Sequence, residues 1–336
     1  MQILIIYTGG TIGMKQDPKT GALLPFDFAQ IEDEVPELKK FGFKLDTVSF
    51  DPIDSSDITP DLWVKWAQVI YDNYDKYSGF VILHGTDTMA YSASALSFMF
   101  EGLNKPVIFT GSQLPIGMLR TDGKENLISA IEIAAARIDG KSAVPEVCIY
   151  FENKLMRGNR TTKFSSEHFN AFNSFNYPLL GEAGIHLRFN TQFIHYDNAE
   201  NLRINTLFDT RVSVLKIFPG IKESTVRAML DTDTRSVILE TFGSGNIPTA
   251  DWLTAVLSEA VERDKIILSI SQCKAGSVEQ GKYAGSLLLK NIGVLSGNDI
   301  TFEAALTKLF DLQGKYRGNK QVIDNLLISL RGEMTN

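Results

Sequence analysis

A chain of 336 residues, 44% hydrophobic and 22% charged, is longer than the ~250–300 residues at which single cores stop growing, so two domains are expected. A net charge of −7, with basic residues scattered rather than striped, excludes the footprint of a nucleic-acid binder and points to a small-molecule substrate. Cys148 and Cys273 lack CxxC spacing and sit in or beside apolar runs, as buried thiols do. Met1 leads straight into β-rich sequence, and no apolar run approaches the ~20 residues of a membrane span, so a cytoplasmic location is expected.

In chain order, Ile3–Tyr7, Phe80–His84, Val107–Thr110 and Val147–Phe151 read as buried strands, alternating with helix-period segments. Thr59 precedes a helix with Pro60 at its first position and an apolar face of Leu62, Trp66, Val69 and Ile70. Met89–Phe100 and Asn126–Ile138 are also helical by period. This βα rhythm predicts an α/β fold with a mostly parallel sheet. Residues 152–187 break the rhythm and read as an excursion from the sheet edge. The polar, Asn-rich stretch 188–211 reads as a linker between a domain of residues 1–187 and a smaller α/β domain of residues 212–336. There, Val212–Ile217, Val237–Thr241 and Ile266–Ile270 read as strands, and Ser224–Leu230, Asp251–Arg263 and Phe302–Leu312 as helices.

Much chemistry is missing. Four histidines and no GxSxG elbow leave little for a Ser/His/Asp hydrolase, and His84, alone at a strand end, reads as a hydrogen-bonded core residue. Glycines 9, 10 and 13 do not have dinucleotide spacing, and there is no HExxH or other metal-ligand cluster, so neither metal nor cofactor is expected. The chemistry must rest on hydroxyls, carboxylates and a lysine.

Three strand ends carry Gly-bearing polar turns, beginning at Thr8, Gly85 and Gly111, and ligands of open α/β sheets bind at that rim. In Thr8-Gly9-Gly10-Thr11-Ile12-Gly13, paired glycines allow close backbone approach and Thr11 offers a nucleophilic hydroxyl; a tight turn with a structural threonine is the plain alternative. In His84-Gly85-Thr86-Asp87-Thr88, Thr86 and Asp87 suit a proton relay and an ammonium contact, or they cap the next helix. Asp54-Ser55-Ser56-Asp57 before a helix start suits a carboxylate ligand, or is a plain turn. Arg157-Gly-Asn-Arg160-Thr161-Thr162-Lys163 holds a lysine fit for proton transfer, or is a solvated basic loop.

In order and spacing, TGGTIG, DSSD, HGTDTM and RGNRTTK resemble the bacterial type I (cytoplasmic) L-asparaginases. The match continues through ETFGSGN at 240–246, QCKAG at 272–276, YAG at 283–285 and LRGEMT at 330–335. The resemblance implies a flavodoxin-like larger N-terminal domain, a smaller C-terminal one, and a homo-oligomer built as a dimer of intimate dimers with sites at the intimate interface. It implies that Thr11 attacks the side-chain amide of asparagine, giving an acyl-enzyme that water hydrolyses. Thr86, Asp87 and Lys163 would form a relay, Asp87 would also anchor the α-amino group, and Asp54, Ser55 and Ser56 would hold the α-carboxylate. Two positions depart from the family: the first loop, Gly21-Ala22-Leu23-Leu24-Pro25, lacks a tyrosine, and Glu240 stands where the enterobacterial enzyme has an arginine, although Ser271 and Cys273 match. Tyr283, in a loop of the smaller domain, is the candidate to reach a partner subunit's site in place of that tyrosine. The rival readings are a glutaminase-type amidohydrolase, a transfer-RNA-linked amidotransferase subunit, and a non-catalytic asparagine sensor, which would have no need of Thr11 or Lys163.

Overall fold

The computed structural model describes residues 1–16, 20, 23–25, 31–197, 199 and 201–335. The chain divides into two compact units, Met1–Thr206 and Leu207–Asn336.

The first unit contains β1 (Gln2–Gly9), β2 (Lys44–Ile53), α1 (Pro60–Asp72), β3 (Gly79–Leu83), α2 (Met89–Met99), β4 (Val107–Thr110), α3 (Gly123–Ala135), β5 (Val147–Phe151), β6 (Lys154–Arg157), β7 (Gly181–Ala183) and β8 (Leu187–Phe189). They build an eight-stranded sheet in the order β8-β7-β6-β5-β4-β3-β1-β2. Strands β1 to β5 are mutually parallel and lie in the order 2-1-3-4-5, that of flavodoxin-like folds. Every residue of β3, β4 and β5 is buried, because helices cover both faces of a parallel sheet and leave no side for polar residues. Edge strand β2 instead alternates exposed and half-buried positions, and its sequence KLDTVSFDPI carries no apolar run that would announce it.

Residues 152–187 are partly the sheet itself rather than an excursion from it. Glu152 and Asn153, both at positive φ, turn the chain tightly so that β6 returns antiparallel on β5, and β7 and β8 continue the edge. Helix α1 begins at Pro60 as expected but buries Trp63, Trp66, Ala67 and Ile70, a face rotated from the one expected; Leu62 and Val69 are only partly covered. Helix α3 starts and stops three residues early, because Asp139 and Gly140 turn Arg137–Ile138 back onto Lys141–Ser142. Most of the 188–211 stretch packs with the first unit: Phe193 and Ile194 join its core, and Arg203–Ile204 pairs with Phe100–Glu101.

The second unit contains β9 (Val212–Lys216), α4 (Glu223–Leu230), β10 (Ser236–Thr241), α5 (Asp251–Glu262), β11 (Ile266–Ser271), α6 (Ala284–Asn291), β12 (Leu295–Ser296), α7 (Phe302–Lys315) and α8 (Asn319–Leu326). Its four strands form a parallel sheet in chain order. Leu215, Val237, Leu239 and Ile267 pack there against Val226, Leu230, Leu253 and Leu257. A fully buried ion pair, Lys308 Nζ to Glu333 Oε1 at 2.6 Å, ties the C-terminal segment to α7. Lys308 also donates to the carbonyls of Leu326 and Ile328, and Glu333 accepts from the Leu330 and Arg331 N–H groups, so both charges are solvated by backbone. No helix among the described residues is long and apolar enough to cross a membrane. Cys148 is buried, whereas Cys273 is exposed because its apolar neighbours belong to β11 and the chain has already left that strand.

Candidate active site

Because β1 to β4 run parallel, their carboxyl ends share one rim: Gly9 pairs with Ile53, Tyr7 with Leu83, and Leu83 with Thr110. The loops of Thr11, Asp54–Ser56, Thr86–Asp87 and Gly111–Gln113 leave from there, at the switch point between β1 and β3 where such sheets bind ligands. Two glycines set how closely they meet. A Cβ on Gly10, at φ 82°, would lie 2.5 Å from Gly85 Cα, and one on Gly85 would lie 2.7 Å from the Ser55 side chain. Gly10 and Gly85 are therefore in backbone contact and Gly85 packs directly on the Ser55 side chain, which no larger residue at these positions allows.

Thr11 opens a single 3-10 turn, Thr11–Gly13, and is partly buried. The Gly13 N–H donates to the Gly10 carbonyl at 3.2 Å, and the buried Tyr7 hydroxyl donates to the Gly13 carbonyl at 3.2 Å. Thr8 is not free for chemistry, since its buried hydroxyl donates to the Leu83 carbonyl at 2.9 Å and ties β1 to β3.

Lys163 lies on a two-residue strand, Thr162–Lys163, paired with Phe172–Asn173. Its Nζ donates to Thr86 Oγ1 at 2.8 Å and to Asp87 Oδ1 at 2.6 Å. The lysine side chain is 15% exposed and the Asp87 side chain 66%, so the pair has a largely covered cationic end and an open carboxylate end. The basic stretch is not a solvated loop. Arg157 is buried in a two-bond pair with Glu146 at 2.6 and 3.1 Å, and both Arg157 and Arg160 lie over the Tyr177 ring. Gln113, given no role by sequence, completes the cluster. Its Oε1 accepts from Thr86 Oγ1 at 3.3 Å, and its Nε2 donates to the Ser166 and His168 carbonyls. The only sequence signal for it was its place in the Gly-bearing turn after β4.

Asp54 closes its own turn: its Oδ1 accepts from the Ser56 N–H and hydroxyl, both at 2.8 Å. These bonds hold its carboxyl below the usual carboxylate range and close the loop as a cap. Ser55 is buried against Gly85 and its carbonyl accepts from Thr88, while Ser56 is exposed. On the turn after β4, Ser112 buries a hydroxyl with no protein partner among the described residues. In the second unit, Tyr283 is half exposed at the N-terminus of α6, where the Ser286 hydroxyl accepts from its N–H. Glu240 is half-buried near the end of β10. In the first loop, positions 21 and 22 lie outside the described residues; the backbone of Leu23–Pro25 pairs with Met14–Gln16.

A 2-1-3-4-5 sheet, a second parallel α/β unit, and a hydroxyl–lysine–carboxylate cluster at the switch-point rim define a two-unit α/β protein with a candidate catalytic rim. More particularly, the chain belongs to the asparaginase family: residues 2–195 match the model described as Asparaginase, N-terminal, and residues 211–326 the Glutaminase/Asparaginase C-terminal domain. It is 42% identical to L-asparaginase 1 of Escherichia coli K12 over 340 residues, covering 99% of this chain and 98% of that protein. The crystal structure of L-asparaginase I from Vibrio cholerae superposes with a TM-score of 0.89 at 41% identity, over 100% of this chain and 99% of that one. The thermostable L-asparaginase of Thermococcus kodakarensis gives 0.92 at 31% identity, over all of both chains.

Proposed function

We propose that the protein hydrolyses L-asparagine to L-aspartate and ammonia through an acyl ester on Thr11. The observation that supports this most is the Lys163 ammonium held between Thr86 Oγ1 and Asp87 Oδ1, beside the loop on which the Thr11 turn is packed. Thr11 Oγ attacks the side-chain amide carbon. Its proton passes by way of Thr86 to the Lys163–Asp87 pair and is returned to the departing nitrogen, so that the C–N bond breaks and ammonia leaves. Water then adds to the ester, the Thr11–carbon bond breaks, and the threonine proton is restored. A neutral hydroxyl is a weak nucleophile near pH 7, which is why the relay is needed. As a donor the Thr86 hydroxyl makes a long 3.3 Å bond to Gln113, and a bond of that length is easily redirected. The open carboxylate of Asp87 is free on its outer side for the substrate ammonium, and the covered lysine end is kept for chemistry.

Ammonia release from asparagine by the purified protein tests the reading, and glutamine in the same assay tests the glutaminase alternative. Thr11→Val removes the nucleophilic oxygen at nearly constant volume, so turnover is expected to vanish while aspartate binding persists. Near-normal turnover in that variant removes Thr11 from the mechanism.

A further inference from the structure

His84 is fully buried beside the Gly85–Thr86 turn and takes no part in the chemistry above. Its Nδ1 lies 2.6 Å from the Gly85 carbonyl oxygen and its Nε2 2.8 Å from Ser92 Oγ. A carbonyl only accepts, so Nδ1 carries the proton and donates. The other nitrogen of the neutral ring then has only a lone pair, to which the Ser92 hydroxyl must donate. Ser92 Oγ in turn accepts from the Trp63 indole Nε1 at 2.9 Å, a group that can only donate. The bonds thus run in one direction, from Trp63 on α1 through Ser92 on α2 and His84 to the Gly85 carbonyl. The imidazole is further held edge-on by Trp66 and Phe109, with ring centroids 5.4 and 5.7 Å away.

A trans peptide is planar, with its N–H opposite its C=O. Fixing the Gly85 carbonyl toward His84 therefore aims the Thr86 N–H away from the core, and no acceptor among the described residues takes that N–H. Gly85 has no side chain to steady the plane, and it is wedged between Gly10 and Ser55. We propose that His84 is a positioning residue for hydrolysis, a neutral donor that locks the Gly85–Thr86 peptide and keeps the Thr86 N–H and hydroxyl aimed into the site; this rests on the amidohydrolase reading.

The nitrogen that matters can be separated from the ring. In His84→Asn the amide nitrogen falls where Nδ1 stands and keeps the bond to Gly85, whereas in His84→Gln it falls where Nε2 stands and that bond is lost. Losing one positioning bond in a buried site is expected to lower kcat of H84Q about 10- to 30-fold with KM within about twofold, while H84N stays within about threefold of wild type. Ser92→Ala keeps the ring but removes the proton that pins Nε2, and should lower kcat about fivefold, again at constant KM. A merely structural role would lower Tm in H84N and H84Q without sorting kcat by which nitrogen is replaced. H84N as impaired as H84Q, or a loss confined to KM, overturns the inference, and where neither His84 variant folds, wild-type kcat in S92A overturns it. Wild-type protein that releases no ammonia from asparagine or glutamine sinks the proposed function and this inference together; active wild type with the wrong pattern among variants sinks this inference alone.

Discussion

The buried imidazole also links stability to pH. Burial lowers the His84 pKa from 6.5 to about 4, against the opposing pull of its bond to the Gly85 carbonyl. In the unfolded chain the same ring takes up a proton near pH ~6.5. As pH falls, the unfolded state therefore binds the proton first, and the stabilisation present above pH ~6.5 is lost as pH falls through the folded value. With these two values the loss between pH 7 and pH 5 is roughly 2 kcal/mol. Urea unfolding of wild type and His84→Asn at pH 7, 6 and 5, followed by tryptophan fluorescence, measures it, because other titrating groups are common to both proteins. The stability advantage of wild type over H84N should shrink by roughly that amount across the range. Parallel stability curves would refute the claim that a neutral, desolvated ring sits at this position.

Three further outcomes are expected. Lys163→Met should lower kcat by about 100-fold or more, as for the ~10²–10⁴ of a positioned proton-transfer group, with the fold intact; a change in KM alone would make Lys163 a binding residue. Lys308→Met leaves the Glu333 carboxylate buried without its cation, and urea unfolding should show a loss of about 3–5 kcal/mol. A loss below ~1 kcal/mol would mean that the backbone N–H groups of Leu330 and Arg331 suffice for the charge. Tyr283 is expected to serve the site of a second copy. Mixing Thr11→Ala with Tyr283→Phe subunits under demonstrated exchange should then restore activity toward about a quarter of wild type, and full activity of Tyr283→Phe alone refutes it.

How far the fold could be read from sequence depended on how each strand is buried. Gly79–Leu83, Val107–Thr110 and Val147–Phe151 have both faces covered, so each is an unbroken apolar run bounded by polar turns. Strand β2 carries ten residues of the same sheet but has one solvated side, and its Lys, Asp and Ser positions hide it. Strands β6 to β8 are three or four residues long, too short for any period to register, and their antiparallel return depends on the two positive-φ residues Glu152 and Asn153. The helices α6 and α8 of the second unit also escaped, although α4, likewise eight residues long, was read. Strand order is a different kind of information. It belongs to crossovers that no local run encodes, and only the motif resemblance suggested a flavodoxin-like arrangement.

The cluster around Thr86 was legible as residue types but not as an arrangement, and the basic stretch shows why. Three cations, Arg157, Arg160 and Lys163, lie within seven positions, and spacing alone gives no ground for choosing among them. Burial makes the choice. Glu146 on the chain before β5 takes the Arg157 guanidinium, the Tyr177 ring lies under both arginines, and the strand pairing of Lys163 with Phe172 leaves the ammonium on Thr86 and Asp87. Under the proposed mechanism a guanidinium in the lysine's place would be a poor substitute, since it does not give up a proton and so cannot relay one between Thr86 and Asp87. The two arginines are thus consumed in packing on Glu146 and Tyr177, and the lysine is the cation of the three delivered to the hydroxyls at the rim. Gln113 and His84 stand on opposite sides of the same problem. Gln113 reaches Thr86 from the end of the neighbouring strand β4 and becomes visible only once β3 and β4 are side by side, whereas His84, at the end of β3 itself, meets the Gly85 carbonyl locally and Ser92 only once α2 has folded back on it.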